Sequence, residues 1–368
     1  MASSGLKVRG VGGRRKLRSQ KFSGFCPTEY ASDTSYAGEY TDYVSDNWFV
    51  SFDAGSTLPS VAIGRIPADR ADKVQAYVAK VLDYENGYSR PDGSSIVLVS
   101  DNDQLGGEAF VPRSTQLSQK ISSWNSKLAI TSVNRPNLSD AQMKQAVTDA
   151  FNAQPTFLNY FGHGAENMWA GPTVFTNQDA AALTNSKLPI VVTMDCLNGA
   201  FAEANPGLSS YATISDSLLF NSKGGAAAIW ASTSLSNPNV QEPFQQSFYQ
   251  IVAQSSNLTF GEAARLAKVQ GGWSKGTDEV VQSWTILGDP MLGLKMPVQS
   301  AAPAANNSSD SGGGGGFLSC SAHASGNHAD GAESLCEIIF WVGLLLAFHL
   351  RNQLKARSRA KSASGIPL

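Results

Sequence analysis

One histidine and one cysteine in this chain each stand just past a short apolar run. His163 follows Thr156–Phe161 in TFLNYFGHG, and Cys196 follows Pro189–Met194 in PIVVTMDC, 33 positions later. A thiol attacks a carbonyl carbon as thiolate, and a neighbouring imidazole can take its proton. The two residue types therefore read as nucleophile and general base, if the fold brings them together. Of four cysteines, Cys26, Cys320 and Cys336 fall outside the apolar-rich body, and no pair has the spacing of a zinc site. Of four histidines, His323, His328 and His349 lie in the C-terminal tail, so His163 is the one imidazole available to the body.

The elements that must position this pair are legible around it. Both runs are rich in β-branched and aromatic residues, as buried strands are. Asn177 can cap a helix over Gln178–Asn185 between them. Strand, crossover helix and strand make a parallel βαβ unit, whose strand ends share one edge of the sheet. Ile96–Val99, ending at Ser100-Asp101-Asn102-Asp103, and Ala226–Ala231, ending at Ser232, add two more strands that finish in polar residues. Trp48–Phe52, Val61–Ile63, Ala129–Val133 and Trp284–Leu287 also read as strands. Helices are predicted from Asp69, with Val74, Tyr77, Val78, Val81 and Leu82 as one buried stripe, and over Ser114–Trp124. A capping box of Ser139 and Gln142 opens another, with Met143, Ala146, Val147 and Ala150 inward. Further helices fall near Thr213–Asn221, around Phe244–Val252, and over Gly261–Gln270, while Ser232–Pro243 reads as a loop. Alternating strands and helices give an α/β class with a mostly parallel sheet and helices on both faces.

The 368 residues are 42% hydrophobic and 16% charged, as in a folded globular body. The net charge of −2 conceals an uneven distribution. Residues 1–21 hold seven Lys/Arg and residues 351–368 hold five, neither with an acid, which leaves 16 Lys/Arg against 30 Asp/Glu between them. A body with a net charge of −14 argues against nucleic acid as a partner. Met1–Ser23 is basic and lacks the apolar core of a signal peptide. Pro297–Ser334 is a Gly/Ser/Pro-rich linker containing five consecutive glycines. It precedes an apolar run of 13 residues, Ile338–Leu350, and a basic tail. The run is short for a bilayer span of about 20 residues.

At NYFGHGAENMWA and VVTMDCLNGAF the chain resembles the gingipain family of cysteine peptidases, which belongs to the clan that holds caspases and legumains. SDNWFVSFD, LPSVAIGRIPA, GGAAAIWASTS and SWTILGDPML flank these blocks in the family's order, so the likeness covers about residues 42–295. The resemblance implies a caspase-like α/β domain over 89–296. It also implies the remnant of a smaller N-terminal α/β subdomain over 25–88, after a basic segment 1–24 whose start is truncated or misassigned. The linker 297–334 and the segment 335–368 resemble bacterial C-terminal sorting tails. These would hold the body outside the cytoplasm, at the cell surface or secreted, with a membrane contact through the C-terminal segment that is transient or permanent.

By the same resemblance Cys196 is the nucleophile and His163 the base. The backbone N–H groups of Gly164 and Cys196 form the oxyanion hole. An acid at the end of an earlier strand orients the imidazole, which points to Asp103 with Asp101 as rival. Ser232, Thr233, Ser234 and Leu235, after the Ala226–Ala231 strand, would line the specificity pocket. Glu166 reads as a loop residue, Asp195 as pointing away from the site, and Trp169 and Trp230 as core. No cofactor is required and no metal-ligand pattern is present, although the family resemblance allows structural calcium. The expected activity is that of a monomeric endopeptidase cutting proteins or peptides through an acyl-enzyme. A transpeptidase using the same pair and a surface-anchored protein with a disabled site are the rivals.

Overall fold

The computed structural model describes residues 29–32, 42–53, 55–103, 107–171, 173–202, 212–271 and 278–297. In chain order, β1 (Glu29–Ser32) and β2 (Asp42–Ser45) form an antiparallel pair, and α1 (Ala71–Glu85) follows. Next come β3 (Ser95–Ser100), α2 (Phe110–Trp124), β4 (Ala129–Asn134), α3 (Asp140–Asn152) and β5 (Phe157–Phe161). Three two-residue strands, β6 (Gly164–Ala165), β7 (Met168–Trp169) and β8 (Phe175–Thr176), then make a small antiparallel sheet. After it come α4 (Asn177–Ala182), β9 (Ile190–Met194), α5 (Ile214–Phe220), β10 (Ala228–Ser232) and α6 (Pro238–Gln254). The chain ends its described course with β11 (Leu258–Thr259), α7 (Phe260–Gln270), α8 (Asp278–Ser283), β12 (Trp284–Gly288) and β13 (Gly293–Leu294).

The central sheet has six strands in the order β12-β10-β9-β5-β3-β4. Pairings β4–β3, β3–β5, β5–β9 and β9–β10 are parallel, and only the β10–β12 pairing is antiparallel. The strands carrying Asp101, His163, Cys196 and Ser232 at their ends thus run the same way and finish at one edge, as their terminations led us to expect.

Alternation along each strand divides the core between two faces. Ile190, Val192 and Met194 of β9 join Phe110, Leu117 and Ile121 of α2 and Phe244, Phe248 and Val252 of α6 on one face. Val191 joins Met143 and Val147 of α3 and Leu218 of α5 on the other. Helices thereby cover both faces, and the four inner strands read as continuous apolar runs because neither side meets water.

Several local expectations change. On α1 the buried residues are Tyr77 and Tyr84, while Val74, Val78 and Leu82 are 37%, 45% and 56% exposed. The buried edge is narrower than the apolar stripe. Tyr77 is drawn inward because its hydroxyl donates to Ala227 O (2.9 Å) and accepts from Asp289 N–H (2.7 Å). Residues 47–49 form a 3-10 turn rather than a strand. There the Asn47 side-chain amide donates to Thr57 O and Val281 O, both at 3.0 Å. Val61–Ile63 also lie outside any strand; the next residue to pair is Arg65, in an isolated parallel bridge to Leu287. Helix α4 is capped by Thr176, through a reciprocal box with Asp179, and not by Asn177. The Ser139–Gln142 box is present as expected.

The described residues on both sides of Tyr88 belong to one unit. The expected basic N-terminal segment, most of the linker and the C-terminal apolar run lie outside the described residues. Among the described residues no helix is long and apolar enough to cross a membrane.

Candidate active site

At the carboxyl edge of the sheet is a cleft of about 390 Å³, lined by Gly107, Glu108, Phe110, Gly162, His163 and Cys196 and by residues 236–239 and 241. His163 and Cys196 come from the adjacent parallel strands β5 and β9, and both open on this cleft.

The backbone of His163 is clamped from three directions. Its N–H donates to Asp101 Oδ2 (3.3 Å), and its carbonyl accepts from Tyr160 Oη–H (2.7 Å) and from Ala170 N–H (2.8 Å). The imidazole packs edge-on to the Phe110 ring with centroids 5.3 Å apart. Its Nε2 stands 2.7 Å from Glu108 Oε1. The acid beside the ring is therefore Glu108, and neither expected aspartate takes that place. Asp101 is fully buried, pairs with Arg135 (2.8 Å) and holds the histidine's backbone instead. Asp103 is exposed and its Oδ1 accepts from Phe110 N–H (3.2 Å), capping the start of α2. Glu108 reaches the ring because its neighbours Gly107 (φ +83°) and Ala109 (φ +53°) turn through left-handed backbone. A Gly-Gly-Glu preceding a helix was the available signal, and it was hidden by placing the helix start at Ser114.

Cys196 is half-buried. Its Sγ accepts from Ser236 N–H (3.3 Å) and donates to Ser236 O (3.5 Å). Burial pushes the thiol up to about 11, with the neighbouring Asp195 adding to the shift and the Ser236 hydrogen bond opposing it. Past the cysteine the chain turns sharply through Leu197, a non-glycine residue at φ +63°. The N–H groups of Leu197 and Gly199 go to Ser234 O (3.1 Å) and Ser232 O (2.7 Å). That of Cys196 has no backbone acceptor among the described residues.

Two buried side chains join the cysteine turn to the histidine hairpin. Asn198 accepts from Trp169 Nε1–H (2.5 Å) and donates to Ala165 O (2.6 Å) and Met168 O (3.4 Å). Asp195 is fully buried, and burial raises its carboxyl well above the usual carboxylate range. It lies under Gly164: a Cβ there would stand 2.7 Å from Asp195 Cγ, so only glycine fits.

The four residues expected to line a specificity pocket do not line the cleft. Ser232, Thr233 and Ser234 are buried; Ser232 Oγ–H donates to Ser234 O (3.0 Å) and Thr233 Oγ1–H to Val44 O (2.6 Å). Leu235 is half-buried and outside the lining. The wall is built by the residues that follow, from Ser236 into the first turn of α6. Trp169 and Trp230 are fully buried in the core, as expected. Among the described residues no three His, Cys, Asp or Glu side chains are grouped to hold a metal ion.

A sequence model described as peptidase family C25 matches residues 11–295. Gingipain R2 of Porphyromonas gingivalis is 25% identical over 270 residues, covering 66% of this chain and 34% of that protein. Gingipain R1 of the same organism is 25% identical over 270 residues, which is 66% of this chain and 26% of its own length. The chain thus spans about a third or less of the curated relatives it matches. The crystal structure of the Arg-specific cysteine proteinase gingipain R superposes with a TM-score of 0.58 at 20% identity, over 71% of this chain and 63% of that one. A complex of pro- and mature domains from P. gingivalis gives 0.56 at 21% identity, covering 68% and 60%. The shared architecture is the caspase-like fold.

Proposed function

Since the chain belongs to peptidase family C25, a family of cysteine-type peptidases, we propose that it hydrolyses peptide bonds in proteins or peptides through Cys196 and His163. The observation that carries this reading is the opening of both side chains, from adjacent parallel strands, on one cleft.

With the thiol at about 11, the resting nucleophile at neutral pH is Cys196 Sγ–H, held by Ser236. In the proposed first step His163 takes that proton as sulfur attacks the scissile carbonyl carbon. The carbonyl oxygen becomes an oxyanion, and the N–H of Cys196, with that of Gly164, donates to it. The C–N bond breaks as His163 returns the proton to the leaving amine. A water, deprotonated by His163, then cleaves the Cys196 thioester and restores the thiol. Glu108 keeps the imidazole oriented and stabilises the imidazolium formed in each half-reaction.

Action outside the cytoplasm is part of the same reading. It is supported by the resemblance of residues 297–368 to bacterial C-terminal sorting tails, with an apolar run and a basic end at residues 338–361. Peptide cleavage by wild type, Cys196→Ala and His163→Ala tests the chemistry. Cleavage by wild type with no detectable turnover by either variant is expected, and full activity in Cys196→Ala refutes it.

A further inference from the structure

The two walls of the cleft are tied together by a side chain that lines neither. Glu108, Phe110 and His163 form one wall; Cys196 with Ser236 and the start of α6 forms the other, the cysteine wall. Arg113 lies in the first turn of α2, and its guanidinium bonds to residues of both. Its Nε–H donates to Glu108 O (2.9 Å). Its Nη2 donates to Asn239 Oδ1 (2.5 Å), while its Nη1 is paired with the Glu242 carboxylate and lies 3.5 Å from Pro238 O. Pro238, Asn239 and Glu242 all belong to the opening of α6.

The turn that carries Glu108 needs an anchor of this kind. Glu108 sits between Gly107 (φ +83°) and Ala109 (φ +53°), and Ala109, the N-cap of α2, supplies no side-chain cap. Left-handed backbone at a non-glycine residue is unfavourable and persists only where its surroundings hold it. A hydrogen bond from a charged guanidinium is stronger than one between neutral groups. Here it grips the carbonyl of the residue whose Oε1 stands 2.7 Å from His163 Nε2. The Arg113 N–H also closes on Ala109 O (2.9 Å), so main chain and side chain of one residue hold both halves of the turn.

The anchor is itself held. A guanidinium presents its N–H donors in a rigid planar fork, and this one is engaged on α2 and α6 at once. Asn239, which accepts from it, donates its own N–H to Asn237 Oδ1 (2.9 Å), the cap of α6, and Ser236 just before that cap holds Cys196 Sγ. Contacts therefore run from His163 through Glu108, Arg113, Asn239 and Ser236 to Cys196, and the β5–β9 pairing closes the ring. Arg113 does not line the cleft, so its effect on the reaction has to pass through residues that do.

We propose that Arg113 is a positioning residue: anchored on Glu242 and Asn239, it holds Glu108 against the imidazole of His163 and acts on the reaction through Glu108. This rests on the peptidase reading above.

The test is steady-state peptide cleavage by the full chain in a double-mutant cycle of Arg113→Met with Glu108→Gln, with thermal melting as the check on folding. Arg113→Met should lower kcat by about tenfold with KM within about twofold of wild type, because the imidazole loses its orientation while the cleft lining keeps its residues. In the Glu108→Gln background the same change should lower kcat by no more than about twofold, since residues that act as a unit are not additive. Arg113→Lys keeps a charge beside Glu242 but replaces the fork with a single ammonium. It should lower kcat by about fivefold with the same dependence on Glu108, and it carries the test if Arg113→Met does not melt cooperatively. Equal losses in the two backgrounds would assign Arg113 a merely structural role and overturn the proposal. So would an unchanged kcat in a folded variant, or a loss carried by KM alone. Both results leave the peptidase reading intact, whereas failure of wild type to cut any peptide overturns that reading and this proposal with it.

Discussion

Replacing Asn198 by Ala should loosen the site and destabilise the protein together. Asn198 is fully buried, and its removal leaves the Trp169 indole N–H without a partner and takes one of its hydrogen bonds from the Ala165 carbonyl, which stays paired with Met168 across the hairpin. A donor stranded in a dry interior is unfavourable by about 1–3 kcal/mol and a lost second bond to a carbonyl by about 1 kcal/mol, so the change amounts to about 3 kcal/mol. That is a large part of the roughly 5–15 kcal/mol that holds a typical domain folded. At about 2–4 °C per kcal/mol for a body of this size, the melting temperature should fall by about 10 °C. The hydrogen bonds also fasten the Cys196 turn to the hairpin that follows His163, so kcat should fall by about 10–100-fold as the reacting groups lose register. Thermal melting and steady-state peptide cleavage read the two effects. A double-mutant cycle with Trp169→Phe isolates the bond, because Phe keeps the stacking on Tyr160 (centroids 4.6 Å apart) but has no N–H. The double variant should be less destabilised than the sum of the singles by about 1–3 kcal/mol. A melting temperature within about 2 °C of wild type, or strict additivity in the cycle, would refute the reasoning.

Other outcomes follow from the same geometry. Glu108→Gln should lower kcat by roughly 10–100-fold with little change in KM, since it weakens orientation and charge stabilisation of His163 without touching the cysteine wall; equal kcat in the variant contradicts the role given to Glu108. Gly164→Ala should abolish cleavage, because its Cβ would overlap the Asp195 carboxyl, and retained activity would show that the strand can shift to admit it. Iodoacetamide modification of Cys196 in the free enzyme should be slow at pH 7 and climb toward about pH 11, and a plateau below pH 8 would contradict a thiol raised by burial. Burial raises Asp216 in the α5 cap to about 6 from an ordinary 3.8, so the folded state binds its proton more tightly than the unfolded chain does. The stability this gives is present below about pH 4, is lost as pH rises through about 6, and amounts to about 3 kcal/mol. Asp216→Asn should flatten that part of the denaturation profile, and an unchanged slope would refute the assignment.

The sheet and the placing of His163 and Cys196 at one edge of it were legible because each rests on local signals. Runs such as PIVVTM are apolar at every position, which marks strands covered on both faces, and they end abruptly at Asp195-Cys196. The crossover between the His163 and Cys196 strands then dictates that they be parallel. Glu108 was not legible, because its reach depends on two left-handed residues and on where α2 begins, neither of which has a periodicity. The cleft wall follows the expected connection but begins at Ser236, beyond the four residues expected to line it. The turn after β10 folds Ser232–Ser234 into the interior, and α6 starts at Pro238, inside a stretch whose Ser, Asn and Pro content reads as loop. On α1 the heptad-spaced tyrosines Tyr77 and Tyr84 outcompete the valines, since their large rings and Tyr77's hydroxyl bonds fill the one narrow edge that is covered. The antiparallel direction of β12 likewise follows from packing after α8 and carries no mark in its own five residues.

The central claim is that Cys196 carries the acyl group during peptide hydrolysis, and rapid acid quench of an enzyme–peptide mixture followed by intact and peptide mass spectrometry tests it most directly. The account predicts a transient adduct with the mass of the carbonyl-side fragment, mapped to Cys196, and absent from Cys196→Ala and from His163→Ala. Turnover by wild type with no adduct at any quench time, or with an adduct on another residue, would contradict it.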